Sequence, residues 1–267
     1  MKHPLIKYLR EEHLPTIFCS GCGDGIVIKA LFMAFDELGI EKLDKYIFVS
    51  GIGCAAWIPS PHIKADTVHT LHGRAIPIAT GIKLARPDLE VIVVGGDGDI
   101  AGIGGNHLLH AARRNMDIMT IMVNNLVYGM TGGQLAPTTP IGFRTSTTPY
   151  GNIEYPLDTC MVVSSAGANY VARWTVAHFK QLKDSFKKAL HKKGFRFIEV
   201  VSQCTSRVTN RMGIPPSHYM KELLRKSINI SEVELGGQVH EDRIIVGEYI
   251  DRDRESYIEL MARMEVK

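Results

Sequence analysis

Between Glu90 and Asn125 the chain runs EVIVVGGDGDIAGIGGNHLLHAARRNMDIMTIMVNN. Glu90–Gly95 is apolar on both faces and rich in β-branched residues, the pattern of a strand buried inside a parallel sheet. A tight turn, Gly96-Asp97-Gly98, follows it. Residues 105–115 (GNHLLHAARRN) then carry helical periodicity, and Asp117–Val123 (DIMTIMV) returns as a second apolar strand. Strand, glycine turn, helix and strand make a β-α-β unit. Open α/β sheets bind ligands at the carboxyl ends of their parallel strands, so the 96–98 turn and Asn124-Asn125 mark the candidate site.

The flanking sequence continues the alternation. Residues 24–38 place Ile26, Ala30, Leu31 and Ala34 on one helical stripe, with Gly39 to end it. Lys45–Ser50 (KYIFVS) reads as a short strand running into Gly51-Ile52-Gly53-Cys54, and Trp57–His62 (WIPSPH) as a loop. Residues 75–85 read as a helix stopped by Arg86-Pro87. Residues 175–192 read as a basic amphipathic helix and Phe195–Gln203 as a final strand. The stretch 129–160 is rich in Thr, Pro and Gly and long for a plain connection, which predicts a functional loop. The last 60 residues show no clear sheet pattern. The expectation is an α/β protein with a mainly parallel sheet flanked by helices: a cofactor-binding body over 1–204 and a C-terminal extension or arm over 205–267.

Composition excludes several classes. The 267 residues are 45% hydrophobic and 22% charged, ordinary for a globular protein. With 31 basic and 28 acidic residues, the formal charge of +3 is too balanced for a nucleic-acid groove or a polybasic membrane anchor. No run of about 18 apolar residues suggests a membrane span. Met1-Lys2-His3-Pro4 lacks the apolar core of a signal peptide, so the expected compartment is the cytoplasm. Five cysteines there point to metal or redox chemistry rather than a disulfide framework.

The turn Gly96-Asp97-Gly98-Asp99-Ile100-Ala101 formally matches a dinucleotide fingerprint. That fingerprint wants an acidic residue at the end of the second strand, where this chain has Asn124-Asn125. An Asp inside the turn would also repel a pyrophosphate. A divalent cation removes the conflict, because Mg²⁺ takes oxygen ligands and bridges carboxylate to phosphate. Asp97 offers the carboxylate, Asn125, 28 residues later, an amide oxygen, and Val127 a backbone carbonyl. The start of the 105–115 helix favours the remaining phosphate charge. GDG, 25 residues, then NN resembles the thiamine-diphosphate motif. The bland reading is a glycine turn with an Asn after a strand.

Cys19 and Cys22 form a C-x-x-C set among glycines, and Cys54 and Cys204 each follow a predicted strand. Parallel strands deliver their ends to one edge, so these two can meet near Asp97. Four thiolates suit a [4Fe–4S] cluster or a structural Zn²⁺. Cys160 reads as a buried small hydrophobe.

Together, CSGCGDG at 19–25, GIGC at 51–54, TVHTLHGRAIPIATG from 67 onward, GDGDIAGIGGNH at 96–107, NNLVYGMTGGQ at 124–134 and SQCTSR at 202–207 resemble the β subunits of 2-oxoacid:ferredoxin oxidoreductases over about residues 15–210. The resemblance implies a thiamine-diphosphate-binding fold and oxidative decarboxylation of a 2-oxoacid to an acyl-CoA and CO2. Electrons would leave through one [4Fe–4S] cluster to ferredoxin, in a direction that can reverse. It implies Cys19, Cys22, Cys54 and Cys204 as cluster ligands, and Asp97, Asn125 and the Val127 carbonyl as Mg²⁺ ligands. Ile52, Gly53, Cys54, Ala55, His72, Gly96, Gly98, Asp99, Gly129, Met130 and Thr131 fall where the family holds its cofactor, with His72 and Arg74 as the catalytic candidates. No Glu occupies a motif that would activate the aminopyrimidine. The family draws that Glu from an α subunit, so the chain is expected to be inactive alone. Further expected partners are coenzyme A, a 2-oxoacid, ferredoxin and additional small subunits, with neither nucleic acid nor membrane among them.

Met130 and the loop 136–152 (APTTPIGFRTSTTPYGN) resemble the 2-oxoglutarate-type members more than the pyruvate type. Gly132 stands where some archaeal members carry a Lys. The alternatives are the same enzyme type acting on pyruvate or a branched-chain 2-oxoacid, a non-redox decarboxylase half, and a zinc-stabilised binding module. Arg144 could meet a distal substrate carboxylate or be a plain surface Arg. His107 and His110 read as packed or polar helix histidines. The run Lys180, Lys183, Lys187, Lys188, His191, Lys192 and Lys193 reads as a solvated face that could dock an acidic partner.

Overall fold

The computed structural model describes residues 3–233 and 243–265. The first half of the chain holds α1 (Asp24–Glu37), β1 (Tyr46–Ser50), β2 (Asp66–His69), α2 (Ala75–Ala85), β3 (Glu90–Gly96), α3 (Gly105–Arg113), β4 (Met119–Asn124) and the ribbon β5 (Val127–Tyr128) and β6 (Gln134–Leu135). The second half holds α4 (Thr159–Ala166), β7 (Tyr170–Thr175), α5 (Phe179–His191), β8 (Arg196–Val201), α6 (Asn210–Met212), α7 (Pro216–Lys226), β9 (Ser227–Asn229), β10 (Ile244–Asp251) and α8 (Tyr257–Glu265). Every residue of β4, β7 and β8 is buried, which a sheet covered on both faces demands.

The sheet runs β2-β1-β3-β4-β8-β7-β10-β9. All neighbours are parallel except β7 with β10. On one face α1 and α5 bury Leu31, Phe35, Leu182 and Phe186 against Phe48, Ile121 and Ile198. On the other, α2, α3 and α4 bury Ile76, Ala79, Leu108, Ala111, Cys160 and Val163 against Val91, Val93 and Phe197. Among the described residues no helix is long and apolar enough to cross a membrane.

Four structural details depart from the sequence-based expectation. Tyr170–Thr175 is a strand, and the basic helix starts only at Phe179, because Val176–His178 turns the chain. Thr159–Ala166, which starts at the end of the expected 129–160 loop and is not foreseen from the sequence, is a helix whose first turn is capped by Asp158 Oδ1 accepting from Met161 N. The helix at 105 ends at Arg113, and Asn115 follows it with φ of 49°, in the left-handed region. The last 60 residues do contain sheet: β10 pairs antiparallel to β7 along the far side of the body.

At the amino ends of the strands, Asp117 sits between Lys83 (2.9 Å) and Arg196 (3.2 Å), both essentially fully buried. Lys83 Nζ also donates to the carbonyls of Pro87 and Leu89, and Gly194 N donates to Asp117. Burial pushes the Asp117 carboxyl up, but Arg196 and Lys83 outweigh it and hold it below its ordinary value. A buried ion pair is costly to half-remove, because the survivor keeps an uncompensated charge. Asp117→Ala is therefore expected to lose about 3–5 kcal/mol in chemical denaturation. Because the folded pKa of Asp117 is depressed, its contribution is complete above the unfolded value of about 3.9 and disappears as pH falls through the lower folded value. The variant should accordingly lack part of the wild-type loss of stability at acid pH.

Candidate functional site

Four neighbouring parallel strands, β1, β3, β4 and β8, end together. Ser50 pairs with Val94, Gly96 with Val123 and Asn124 with Val201. Their next residues, Gly51–Cys54, Asp97–Asp99, Asn125–Val127 and Ser202–Cys204, therefore share one edge of the sheet.

The Asp97 carboxyl is buried at this edge and accepts a hydrogen bond from the Thr138 hydroxyl. Burial pushes it up to about 7, only partly offset by Thr138 and the Gly98 N–H. Asn125 lies one strand over, its Oδ1 accepting from Val127 N at 3.2 Å. The neighbouring Asn124 is committed elsewhere: Nδ2 donates to Glu199 Oε1 at 2.8 Å and Oδ1 accepts from Leu126 N at 3.0 Å. At Gly98 the turn leaves no room for a side chain. A Cβ at Gly98 would lie 2.3 Å from the Tyr128 ring, whose hydroxyl donates to Gly98 O at 3.2 Å. A helical turn over Gly98–Ile103 leads from Asp97 into α3, which starts at Gly105. A buried carboxyl, an amide and a tight glycine turn at a helix N-terminus fit a divalent cation bridging to a diphosphate.

Asp99 does something different from Asp97. Its Oδ1 accepts from His72 Nδ1 (2.6 Å), Gly73 N (2.7 Å) and Ile52 N (3.2 Å), tying together the loops after β1, β2 and β3. Arg74 does not join this cluster: it is exposed and donates to the Gly73 carbonyl at 3.3 Å. Met130 and Thr131 are exposed on the following loop, where the Thr131 hydroxyl donates to Gln134 Oε1 at 2.6 Å. Thr139, Thr145 and Asn152 order the long segment beyond, Asn152 Nδ2 donating to the carbonyls of Thr139, Pro140 and Glu154.

The cysteines form the second half of the site. Cys19, Cys22, Cys54 and Cys204 line one cavity with Asp24, Trp57, Asn125, Ser202 and Gln203. The sulfurs of Cys204 and Cys54 lie 3.5 and 3.9 Å from where a Gly129 side chain would start, and Cys19 and Cys204 both reach Ser206 Oγ at 3.8 Å. Gly23 is required there, because any Cβ would sit 2.0 Å from Ser202 Oγ. Burial pushes the Cys54 thiol up to about 11 and the Cys22 thiol higher still, with Asp24 adding to both; Asp24 is itself raised by burial to about 6. Four thiols around one cavity, Cys204 buried, Cys22 and Cys54 half-buried and Cys19 exposed, fit a metal group that would bind them as thiolates. Ser202 Oγ and Gln203 Oε1 beside them are buried without a hydrogen-bond partner. Among the described residues no three His, Cys, Asp or Glu side chains converge on a single-ion site. Cys160 lies in the core, its sulfur 3.4 Å from Glu199 Oε2.

The remaining candidates lie apart. Arg144 is exposed on its loop, and His110 Nδ1 accepts from Arg113. The basic face of α5 is largely neutralised by Glu37, Glu248, Asp251 and Asp253, with Glu90 taking Lys193. Sequence reading missed Tyr128 and Thr138 at the glycine turn and the buried Asp24, Ser202 and Gln203 around the thiols. Tyr128 and Asp24 stood within quoted motifs; Thr138, 41 residues from Asp97, gave no local signal.

Residues 51–200 match the family described as thiamine pyrophosphate enzyme, C-terminal TPP binding domain. The chain is 49% identical to 2-oxoglutarate synthase subunit KorB of Methanocaldococcus jannaschii, over 98% of this chain and 97% of that one. It is 48% identical to the subunit of the same name from Methanothermobacter marburgensis, over 95% and 89%. A 2-oxoacid:ferredoxin oxidoreductase subunit beta of Saccharolobus solfataricus is 45% identical over 70% and 61%. Among solved structures, the 2-oxoglutarate:ferredoxin oxidoreductase from Magnetococcus marinus with 2-oxoglutarate, coenzyme A and succinyl-CoA bound superposes with a TM-score of 0.87 at 30% identity, covering 99% of this chain and 90% of that one.

The packing at the sheet edge makes a prediction independent of any ligand. A Cβ at Gly51 would lie 2.2 Å from Asp99 Oδ2, whereas one at Gly81 in α2 meets nothing. Gly51→Ala is expected to lose about 1–3 kcal/mol in thermal unfolding, and Gly81→Ala to gain about 0.5–1 kcal/mol.

Proposed function

The chain belongs to the KorB family of 2-oxoacid:ferredoxin oxidoreductase β subunits, and from that premise we propose that it binds thiamine diphosphate in an enzyme converting 2-oxoglutarate, coenzyme A and oxidised ferredoxin to succinyl-CoA, CO2 and reduced ferredoxin. The observation that carries this reading is the shared edge: the Asp97 turn and the four-cysteine cavity meet at Asn125 and Gly129. A decarboxylase half without redox chemistry has no use for that adjacency. When bound, thiamine diphosphate serves as the electron sink for loss of CO2, and a [4Fe–4S] cluster accepts the electrons singly.

The chain's own residues have separable tasks. Asp97, Asn125 and the Val127 carbonyl would hold Mg²⁺, and Gly96, Gly98 and the start of α3 would let backbone approach the diphosphate. Ile52, Gly53 and Ala55, together with Gly129, Met130 and Thr131, would line the cofactor. Cys19, Cys22, Cys54 and Cys204 would hold the cluster, their thiols ionising as it binds. His72, fixed by Asp99, would face the bound reactants, and the exposed Arg74 would meet anionic substrate. Residues 1–204 thus carry the ligands and 205–267 the extension. Five free cysteines suit the reducing cytoplasm.

Catalysis needs a second subunit. Among the described carboxyls at the sheet edge, Asp97 is committed to Thr138 and the proposed cation, Asp99 to His72, and Glu199 to Asn124 and Arg173, while Asp24 lies among the thiols. An activating Glu must come from the α subunit. Leu71, Ile103, Ile153 and Tyr155 are exposed on loops around this edge, an apolar surface of the kind that partner subunits cover.

The test is the complex purified with its α subunit under exclusion of oxygen. The expected content is about four iron and four acid-labile sulfide per β chain, fitting one [4Fe–4S] cluster, with thiamine diphosphate and magnesium. Activity should be highest with 2-oxoglutarate and absent in the β chain alone. Cys54→Ser is expected to lose iron while keeping thiamine diphosphate, and Asp97→Ala the reverse. Zinc in place of iron, or a pyruvate preference, would overturn the cluster or the substrate assignment respectively.

A further inference from the structure

We propose that Asp99 is a positioning residue: it fixes the His72 ring as an Nδ1–H donor and so turns Nε2 toward the bound reactants. This rests on the functional reading above and adds to it a division of labour between the two aspartates of the turn.

The donor pattern at Asp99 leaves one consistent arrangement. Its side chain is 1% exposed, and Oδ1 takes three hydrogen bonds on one oxygen. Two come from the backbone N–H groups of Ile52 and Gly73, which can only donate. An oxygen held by two such donors is an acceptor, so His72 Nδ1 at 2.6 Å must carry the proton. The other oxygen, Oδ2, has no hydrogen-bond partner. It is pressed against Gly51 and Gly95, where side chains would begin 2.2 and 2.8 Å away. Neither oxygen is therefore presented to a ligand. The outlet of this cluster is the imidazole.

The ring is placed to use it. His72 is 35% exposed, and among the described residues Nε2 has no partner. The ring stands edge-on to Tyr128, with centroids 6.0 Å apart, and Tyr128 in turn covers Gly98 of the glycine turn. His72 thus borders the turn proposed to hold the diphosphate. With Nδ1 committed to Asp99, Nε2 is the ring atom left to hydrogen-bond the reactants. Its partner is a polar atom either of the cofactor diphosphate or of the 2-oxoacid.

The test uses the α–β complex as wild type, Asp99→Asn, His72→Gln and the double variant. Three quantities are read: the thiamine diphosphate Kd by calorimetry in the presence of Mg²⁺, the KM for 2-oxoglutarate at saturating cofactor, and histidine ¹⁵N spectra, with His72→Gln identifying the resonance. The inference expects a protonated Nδ1 at His72 in wild type. Each single variant should weaken one binding constant about tenfold, and the double variant should be no worse than His72→Gln alone. A change in Kd assigns the contact to the cofactor diphosphate; a change confined to KM assigns it to the substrate. Single effects that multiply in the double variant, an unprotonated Nδ1, or unchanged Kd and KM would each overturn the inference. Where Asp99→Asn does not fold, His72→Gln and the spectra still decide it. A wild-type complex that binds no thiamine diphosphate overturns the functional reading instead.

Discussion

Register between β1, β3, β4 and β8 is the constraint on which the site depends. A strand's side chains alternate between faces, so a one-residue slip of β4 would carry Asn124 and Asn125 to the wrong sides of the edge. Apolar pairing alone would permit such a slip, because β4 is apolar on both faces. Polar pairs pin it. Asn124 reaches across to Glu199 on β8, and Glu199 is held by Arg173 on β7 at 2.9 Å and by the Thr159 hydroxyl of α4. At the opposite end of the strands, Asp117 joins Lys83 and Arg196. Buried charge is poor at adding stability but well suited to fixing one register over another.

Given that edge, electrostatics divides it into two compartments. Asp97 and Asp24 are both carboxyls raised by burial, one beside the glycine turn and the other beside the thiols. Each marks a place where the apolar body of the protein stops short of neutralising its own ligands. Raised groups are no proof of function by themselves: burial raises Cys160 too, in the core, where Glu199 and Arg173 surround it. What separates Cys160 from the other four is placement. It sits on α4, away from the strand ends, whereas Cys54 and Cys204 follow β1 and β8 directly.

Legibility in the sequence followed the same physics. The unit from Glu90 to Asn125 was readable because apolar strands, a glycine turn and an amphipathic helix each have local signatures. The convergence of Cys54 and Cys204 followed from parallel strand ends, without any measured contact. Tyr170–Thr175 was obscured by Arg173, a charge that looks exposed in sequence yet is buried by Asp158, Glu199 and Tyr249. Strand β10 was obscured by Gly247, with φ of 129°, and by an irregularity between Glu248 and Ile250 that breaks the alternation. Thr138 and the hydrogen bonds converging on Asp99 are tertiary contacts, for which spacing along the chain offers no rule.

The central claim, that one sheet edge holds a diphosphate cation beside a four-cysteine iron–sulfur cluster, is tested most directly by anomalous diffraction from crystals of the α–β complex, measured on both sides of the iron edge. The account predicts an iron peak enclosed by Cys19, Cys22, Cys54 and Cys204, bordering the loop that carries Asn125 and Gly129. An iron peak elsewhere, or a zinc signal among these four sulfurs with none from iron, would contradict it.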